Sequence, residues 1–166
     1  MHVFAEGDDR YRLEDGRGMH IGTIRGRTIS FRGFPTERAA RDAAVAAWRA
    51  MNDALRREYP SWPHHELALD RLGMVHDGAY EWFYDGARAI ARLVRPRPGA
   101  RELTFSIELV LPSYSSEGVA IMASHGMARA VAPYRGAAPS DAVGVGRPPN
   151  SSYGYAELAE LPDPAA

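Results

Sequence analysis

One order of parts occurs twice in this chain, and that recurrence constrains the fold more than any other feature. The stretch "YRLEDGRGMHIGTIRGRTISFRGFPTERAARDAAVAAWRAM" begins at Tyr11, and "YEWFYDGARAIARLVRPRPGARELTFSIELVLPSYSSEGVAIMASHGMARAV" begins at Tyr80. Each opens on a tyrosine-led strand, Tyr11-Arg12-Leu13 or Tyr80-Glu81-Trp82, and turns at Asp15-Gly16 or Asp85-Gly86. Asp-Gly tolerates the positive φ that tight hairpins need. A second strand follows around Met19–Arg25 or Ala89–Val94, then a turn at Arg25-Gly26-Arg27 or the longer Arg95-Pro96-Arg97-Pro98-Gly99. The third strand is Thr28–Phe34 or Leu103–Leu111, where Phe105, Ile107, Leu109 and Leu111 alternate with the two-residue period of a half-buried strand.

Each third strand leads into a helix. Thr36-Glu37 and Ser116-Glu117 place a side-chain acceptor, then a negative charge, where a helix leaves amide groups unpaired. Ala40, Ala43, Ala44, Ala47, Trp48, Met51 and Leu55 share one face of the first helix; Val119, Ala120, Ala123, Met127 and Val131 share one face of the second. Gly126 costs that second helix about 1 kcal/mol relative to alanine, which suggests a role in close packing. The expected fold class is therefore α+β: two tandem βββα repeats, at 9–58 and 79–132, each an antiparallel three-stranded sheet followed by a helix. A lone three-stranded sheet with one helix buries little core, so the two repeats are expected to pack into one compact unit. The connection at 59–78 is expected to hold a loop and a short helix near Glu66–Leu72, and 136–166, rich in Gly, Pro, Ala and Ser, is expected to be a disordered tail.

The Asp-Gly turns, the alternating third strands and the Ser/Thr-started helices resemble those of the YegP-like tandem βββα repeat proteins, over Tyr11 to Val131. The chain departs from that family in its long middle connection and its tail. The resemblance implies a fold and leaves the activity open. A single unit is also similar to AP2-type DNA-binding domains, in which a three-stranded sheet is backed by a helix.

Composition narrows the chemistry. The chain has 166 residues, no cysteine and no lysine, so thiolate zinc sites, disulfides, cysteine nucleophiles and lysine Schiff bases are excluded. No apolar run approaches the ~20 residues of a membrane span, and "MHVFAEGDDRYR" lacks the basic and apolar regions of a signal peptide. A cytoplasmic protein without a membrane partner is expected. Net charge is −1, yet Arg10 to Arg57 holds eleven arginines against five acids, so an anion would favour the first repeat.

The candidate sites are few. His64, His65 and His76 carry metal-ligand chemistry near Glu66 and Asp77, but their spacing is not the His-x-x-x-His that shares one helix face. Neither a Gly-x-Ser-x-Gly elbow nor a phosphate-binding glycine loop between strand and helix occurs. Arg10, Arg12, Arg27 and Arg32 suit phosphate contact from a sheet face. Tyr80, Trp82 and Tyr84 suit stacking on bases or an interface, and Trp62, between prolines, suits an interface anchor. With no reaction-capable constellation, the first expectation is a non-enzymatic interaction module that binds a protein or itself as a homodimer, with no cofactor. Nucleic-acid binding by the basic first repeat is the second. A small enzyme using the histidines and carboxylates between the repeats is the third.

Overall fold

The computed structural model describes residues 1–61, 74–77, 79–85, 88–113 and 115–136, with the backbone alone at 74–77, 83–85, 88 and 89. Eight strands and two long helices follow in the order β1 His2–Gly7, β2 Arg10–Glu14, β3 His20–Arg25, β4 Thr28–Phe34, α1 Glu37–Glu58, β5 Met74–Asp77, β6 Tyr80–Asp85, β7 Arg88–Val94, β8 Phe105–Val110 and α2 Glu117–Val131. All neighbouring strands pair antiparallel in one sheet, ordered β1-β2-β3-β4-β8-β7-β6-β5. The halves therefore join edge to edge along β4 and β8, where Ile29 faces Leu109 and Phe31 faces Ile107.

The third strands and helix starts stand where the alternation and capping residues put them. Thr36 and Ser116 are the N-caps, accepting from the amides of Ala39 and Val119. The Asp15-Gly16 turn works differently from a two-residue hairpin. Asp15 accepts from the amides of Arg17 and Met19 through its carboxylate, which holds its pKa below the usual range, and Gly18 rather than Gly16 takes the positive φ, at 82°. The turn at Gly86 lies outside the described residues. So do Glu66–Leu72, where a short helix is expected, and 137–166 of the expected tail.

Two outer strands add to what the periodicity shows. β1 pairs outside β2 although only Val3 of its six residues is even partly buried, so main-chain hydrogen bonds rather than an apolar period hold it in place. Met74–Asp77, within the expected connection, forms β5 beside β6.

The helices cross over. α1 follows β4 but rests mainly on β8 and β7, whereas α2 follows β8 and rests on β4 and β3. The two helices pack on each other as well as on the sheet, and their buried faces are rich in small residues, Ala39, Ala40, Ala43, Ala44, Ala47, Ala120, Ala123 and Ala128, together with the larger Met51 and Met127. Small side chains let two backbones approach closely while the larger Ile24, Ile29, Phe31, Phe34, Leu93, Ile107 and Leu109 cover the sheet beneath.

Polar ties fix each helix to the opposite half. The Glu81 carboxylate, on the covered face of β6 and 2 % exposed, accepts from Arg41 of α1 at 2.7 Å and from Arg95. Arg41 also binds Glu37 at 2.8 Å. On the other side the Tyr11 hydroxyl of β2 donates to Glu117 in the first turn of α2, and this hydrogen bond raises the Tyr11 pKa. Past α2, a 3-10 turn at Ala132–Tyr134 leads to Arg135, whose Nε donates to the Arg32 carbonyl at 3.0 Å. Gly33, at φ 93°, lets that arginine lie close, since a Cβ there would sit 3.4 Å from its Cδ.

Two glycines make opposite predictions. A Cβ on Gly22 would stand 2.2 Å from the Ser30 carbonyl oxygen and 3.1 Å from the Phe31 ring. Gly22→Ala should destabilise the fold by about 1–3 kcal/mol in urea unfolding. Gly126, by contrast, has only Arg129 Nη2 at 4.0 Å, so close packing does not require it. Gly126→Ala should stabilise by about 0.5–1 kcal/mol through helix propensity; a loss of stability would mean that the helix surface is tighter there.

Candidate ligand-binding face of the sheet

Strand alternation sends every second side chain to the face away from the helices, and among the described residues no layer covers that face. Cross-strand registers set its rows. One row runs Phe4, Arg12, Thr23, Ser30, Glu108, Arg92, Trp82. Toward one end of the strands lie Arg10, Arg25, Thr28 and Val110; toward the other lie Glu14, His20, Ser106, Val94 and Tyr80.

Charge on this face is unevenly satisfied. Arg12 Nε donates to Glu14 at 2.7 Å, Arg92 donates to Glu108, and Arg32 stands 3.6 Å from Glu102. These three carboxylates each hold an arginine. Arg10 and Arg25 are exposed, stand directly opposite each other in register, and have no ion pair among the described residues. Like charges facing across a strand pair repel, so this end of the face is a standing attraction for an anion. Glu6 on the edge strand and Asp8 and Asp9 in its turn are the nearby acids.

The second half contributes aromatic surface. The Arg92 guanidinium lies 4.3 Å from the Tyr80 ring centroid and 4.4 Å from that of Trp82, a cation–π stack of two rings about one cation. Glu108 holds the guanidinium from the side, so the stack is fixed from three directions. Both rings are half-buried and leave part of their surface to solvent.

Between the arginines and the stack lies a trough of about 380 Å³. Thr23, Ser30 and Ser106 line its floor, and Arg97 and Glu102 of the β7–β8 connection form one wall. His20 stands at its rim. Arg32 donates to His20 Nδ1 at 2.9 Å, and an arginine has no acceptor, so the ring proton sits on Nε2, which meets the Gly22 carbonyl at 2.9 Å. Burial first, then the charges of Arg32 and Arg12, hold the His20 pKa below its ordinary value.

A second hollow, of about 490 Å³, lies at the end of the strands. Arg25, Arg27 and Asp9 line it with Tyr11 and Glu117, so both signs of charge share it.

Of the residues chosen from sequence, the structure brings Arg10, Arg12, Arg32, Tyr80 and Trp82 to this one face. Arg27 belongs to the β3–β4 turn at the sheet end. Tyr84 and His76 are placed by their backbones, in β6 and β5, with His76 opposite Glu81. Trp62, His64 and His65 lie outside the described residues. No group of three potential metal ligands occurs among the described residues. Sequence reasoning missed Arg25, Arg92 and His20. Knowing the β2–β3 register would have set Arg25 against Arg10, and the β6–β7 register would have set Arg92 against Trp82.

Comparison with protein-family models, curated proteins and solved structures finds no significant match. No described helix is long and apolar enough to cross a membrane. What fold and face define together is an α+β protein with a broad one-sided antiparallel sheet.

His20 makes the face sensitive to pH. Its charged neighbours are Arg12 and Arg32, with Glu6 at longer range and Glu14 opposite it in register. Because its folded pKa is lowered from 6.5, the folded state takes up fewer protons than the unfolded chain. The stabilisation is full above that ordinary value and is lost as pH falls through the lowered one. The urea midpoint should fall between about pH 7 and about pH 5, and His20→Gln should flatten that decline. An unchanged slope in the variant would assign the pH dependence elsewhere.

Proposed function

We propose that this chain is a non-enzymatic binding module that holds a polyanionic ligand on the uncovered face of its sheet. One observation carries the reading: Glu14, Glu102 and Glu108 each already hold an arginine, while Arg10 and Arg25 face each other with no carboxylate among the described residues. An ionic ligand is what such a pair lacks. The near-zero net charge of −1 does not oppose this, because field strength at a surface follows local charge. The preference for a polyanion over a protein as the class of partner departs from the order that sequence alone suggests, and the cause is where the arginines stand on the sheet.

The same proposal takes the two halves as tandem repeats of one ancestral unit, in keeping with the YegP-like resemblance, although each half carries four strands before its helix rather than the three expected of a βββα unit. Supporting it are the matching order of strands, caps and helices, and the ties that each helix makes to the opposite half.

Self-association is a second reading, favoured by the edge. β1 pairs on one side only, and its Phe4 is 47 % exposed. An unprotected edge of this kind accepts a strand from another chain. Light scattering across a range of protein concentrations distinguishes a dimer from a monomer.

For the leading reading, the full chain is titrated against fluorescein-labelled heparin fragments at rising salt. Binding should weaken as salt rises, and Arg10→Ala with Arg25→Ala should weaken it roughly ten-fold or more and reduce the salt dependence. Absence of binding even at low salt would overturn it.

A further inference from the structure

We infer that the polyanion is a single-stranded nucleic acid lying across the strands, its phosphates on the β2–β3 arginines and a base against the Tyr80–Arg92–Trp82 stack. This rests on the polyanion reading above and adds the class of ligand and its direction on the face.

Three arrangements point the same way. The first is the division of labour. On the face, cations without carboxylate partners among the described residues stand at Arg10 and Arg25 of the first half and at Arg97 beside the trough. The two rings stacked on Arg92, Tyr80 and Trp82, belong to the second half, with Phe4 exposed at the far edge. A simple polyanion such as polyphosphate would use the first group and have no use for the second. A nucleic-acid strand needs both, since it carries a charged backbone and flat bases.

The second is distance. From β2 to β6 the sheet order passes through β3, β4, β8 and β7, five strand spacings. At about 4.8 Å each, the arginines and rings stand about 24 Å apart. A handful of extended nucleotides covers that span, near the low end of the ~4–16 nucleotides typical of single-strand sites. Between them the trough presents Thr23, Ser30, Ser106 and Arg97, hydrogen-bonding groups suited to base edges or sugars rather than to a greasy ligand.

The third is the state of the rings. Arg92 is clamped by Glu108 and stacks on both aromatics, so the platform is rigid before any ligand arrives. Rings in such a stack offer their remaining surface only to a base whose own face is free. In a duplex the base faces are stacked on each other and closed to the rings. The single strand is therefore the favoured form.

The test measures anisotropy of a labelled oligothymidylate of about twelve nucleotides, near the middle of the single-strand range, bound to the full chain. A duplex of equal length, inorganic polyphosphate and poly-glutamate serve as competitors. Oligothymidylate should bind at least about ten-fold more tightly than the duplex. Trp82→Leu should weaken that binding roughly 5- to 100-fold, the loss expected for one base stack, and leave heparin binding unchanged. Trp82→Phe, which keeps a ring, should bind within about three-fold of the parent. Because that variant reports on stacking with the fold conserved, a misfolded Trp82→Leu does not decide the question. If Trp82→Leu binds as well as the parent, or if duplex, polyphosphate or poly-glutamate competes as well as oligothymidylate, the single-strand inference fails while the polyanion reading stands. If no polyanion binds at about 50 mM salt, both fail together.

Discussion

Everything else in the structure depends on the crossing of the two helices. α1 rests mainly on β8 and β7, with a smaller contact to its own β4, and α2 rests on β4 and β3, so each half is roofed largely by the other's helix. Cutting the chain between halves would leave each helix without the surface it rests on and each sheet without much of its roof. The alanine faces make the crossing possible, because helices with larger residues there would stand too far apart to cover a continuous sheet. The capping acids then acquire a second role. Glu37 and Glu117 favour their helix starts electrostatically, and both also bind across to the opposite half, Glu37 with Arg95 just past β7 and Glu117 with Tyr11 of β2.

Placing both helices on one face decides the character of the other. Among the described residues nothing covers the second surface of this eight-stranded sheet, and an antiparallel sheet can keep such a face open to solvent or to a partner. Nature of that surface follows from the strands' own alternation: where one side chain enters the core, its neighbours point out. Thr23, Ser30 and Ser106 keep the middle polar, and paired charges flank them. Glu81 is the counter-example, a carboxylate turned inward. Arg41 and Arg95 both reach it, the pairing that burial of an acid requires.

Much of the fold was legible because its signals are local. Thr28–Phe34, the Thr36 and Ser116 caps and the buried helix faces all rest on spacing within a few residues. β1 was not legible, since an edge strand held by main-chain bonds leaves little apolar pattern. Gly126 misled for the converse reason: a small residue in a helix suggests close approach, yet only the partner's position reveals whether anything approaches. Of the candidate site, Arg10, Arg12, Arg32, Tyr80 and Trp82 were found by residue type and strand membership. Arg25, Arg92 and His20 depend on who stands across the ladder, and a register shifted by one residue would send them to the other face.

The amino-acid order by itself determined the repeated succession of strands and helix, the caps, the apolar faces, and the absence of thiol and amine chemistry. Those follow from hydrogen-bond geometry and side-chain period, which act over a turn of helix or a pair of strand residues. Only the tertiary structure decided that β4 meets β8, that each helix serves the opposite half, and that the Arg10–Arg25 pair shares a face with the Tyr80–Arg92–Trp82 stack. These contacts join residues from about ten to about a hundred positions apart, and their energies depend on register and burial that no local pattern encodes.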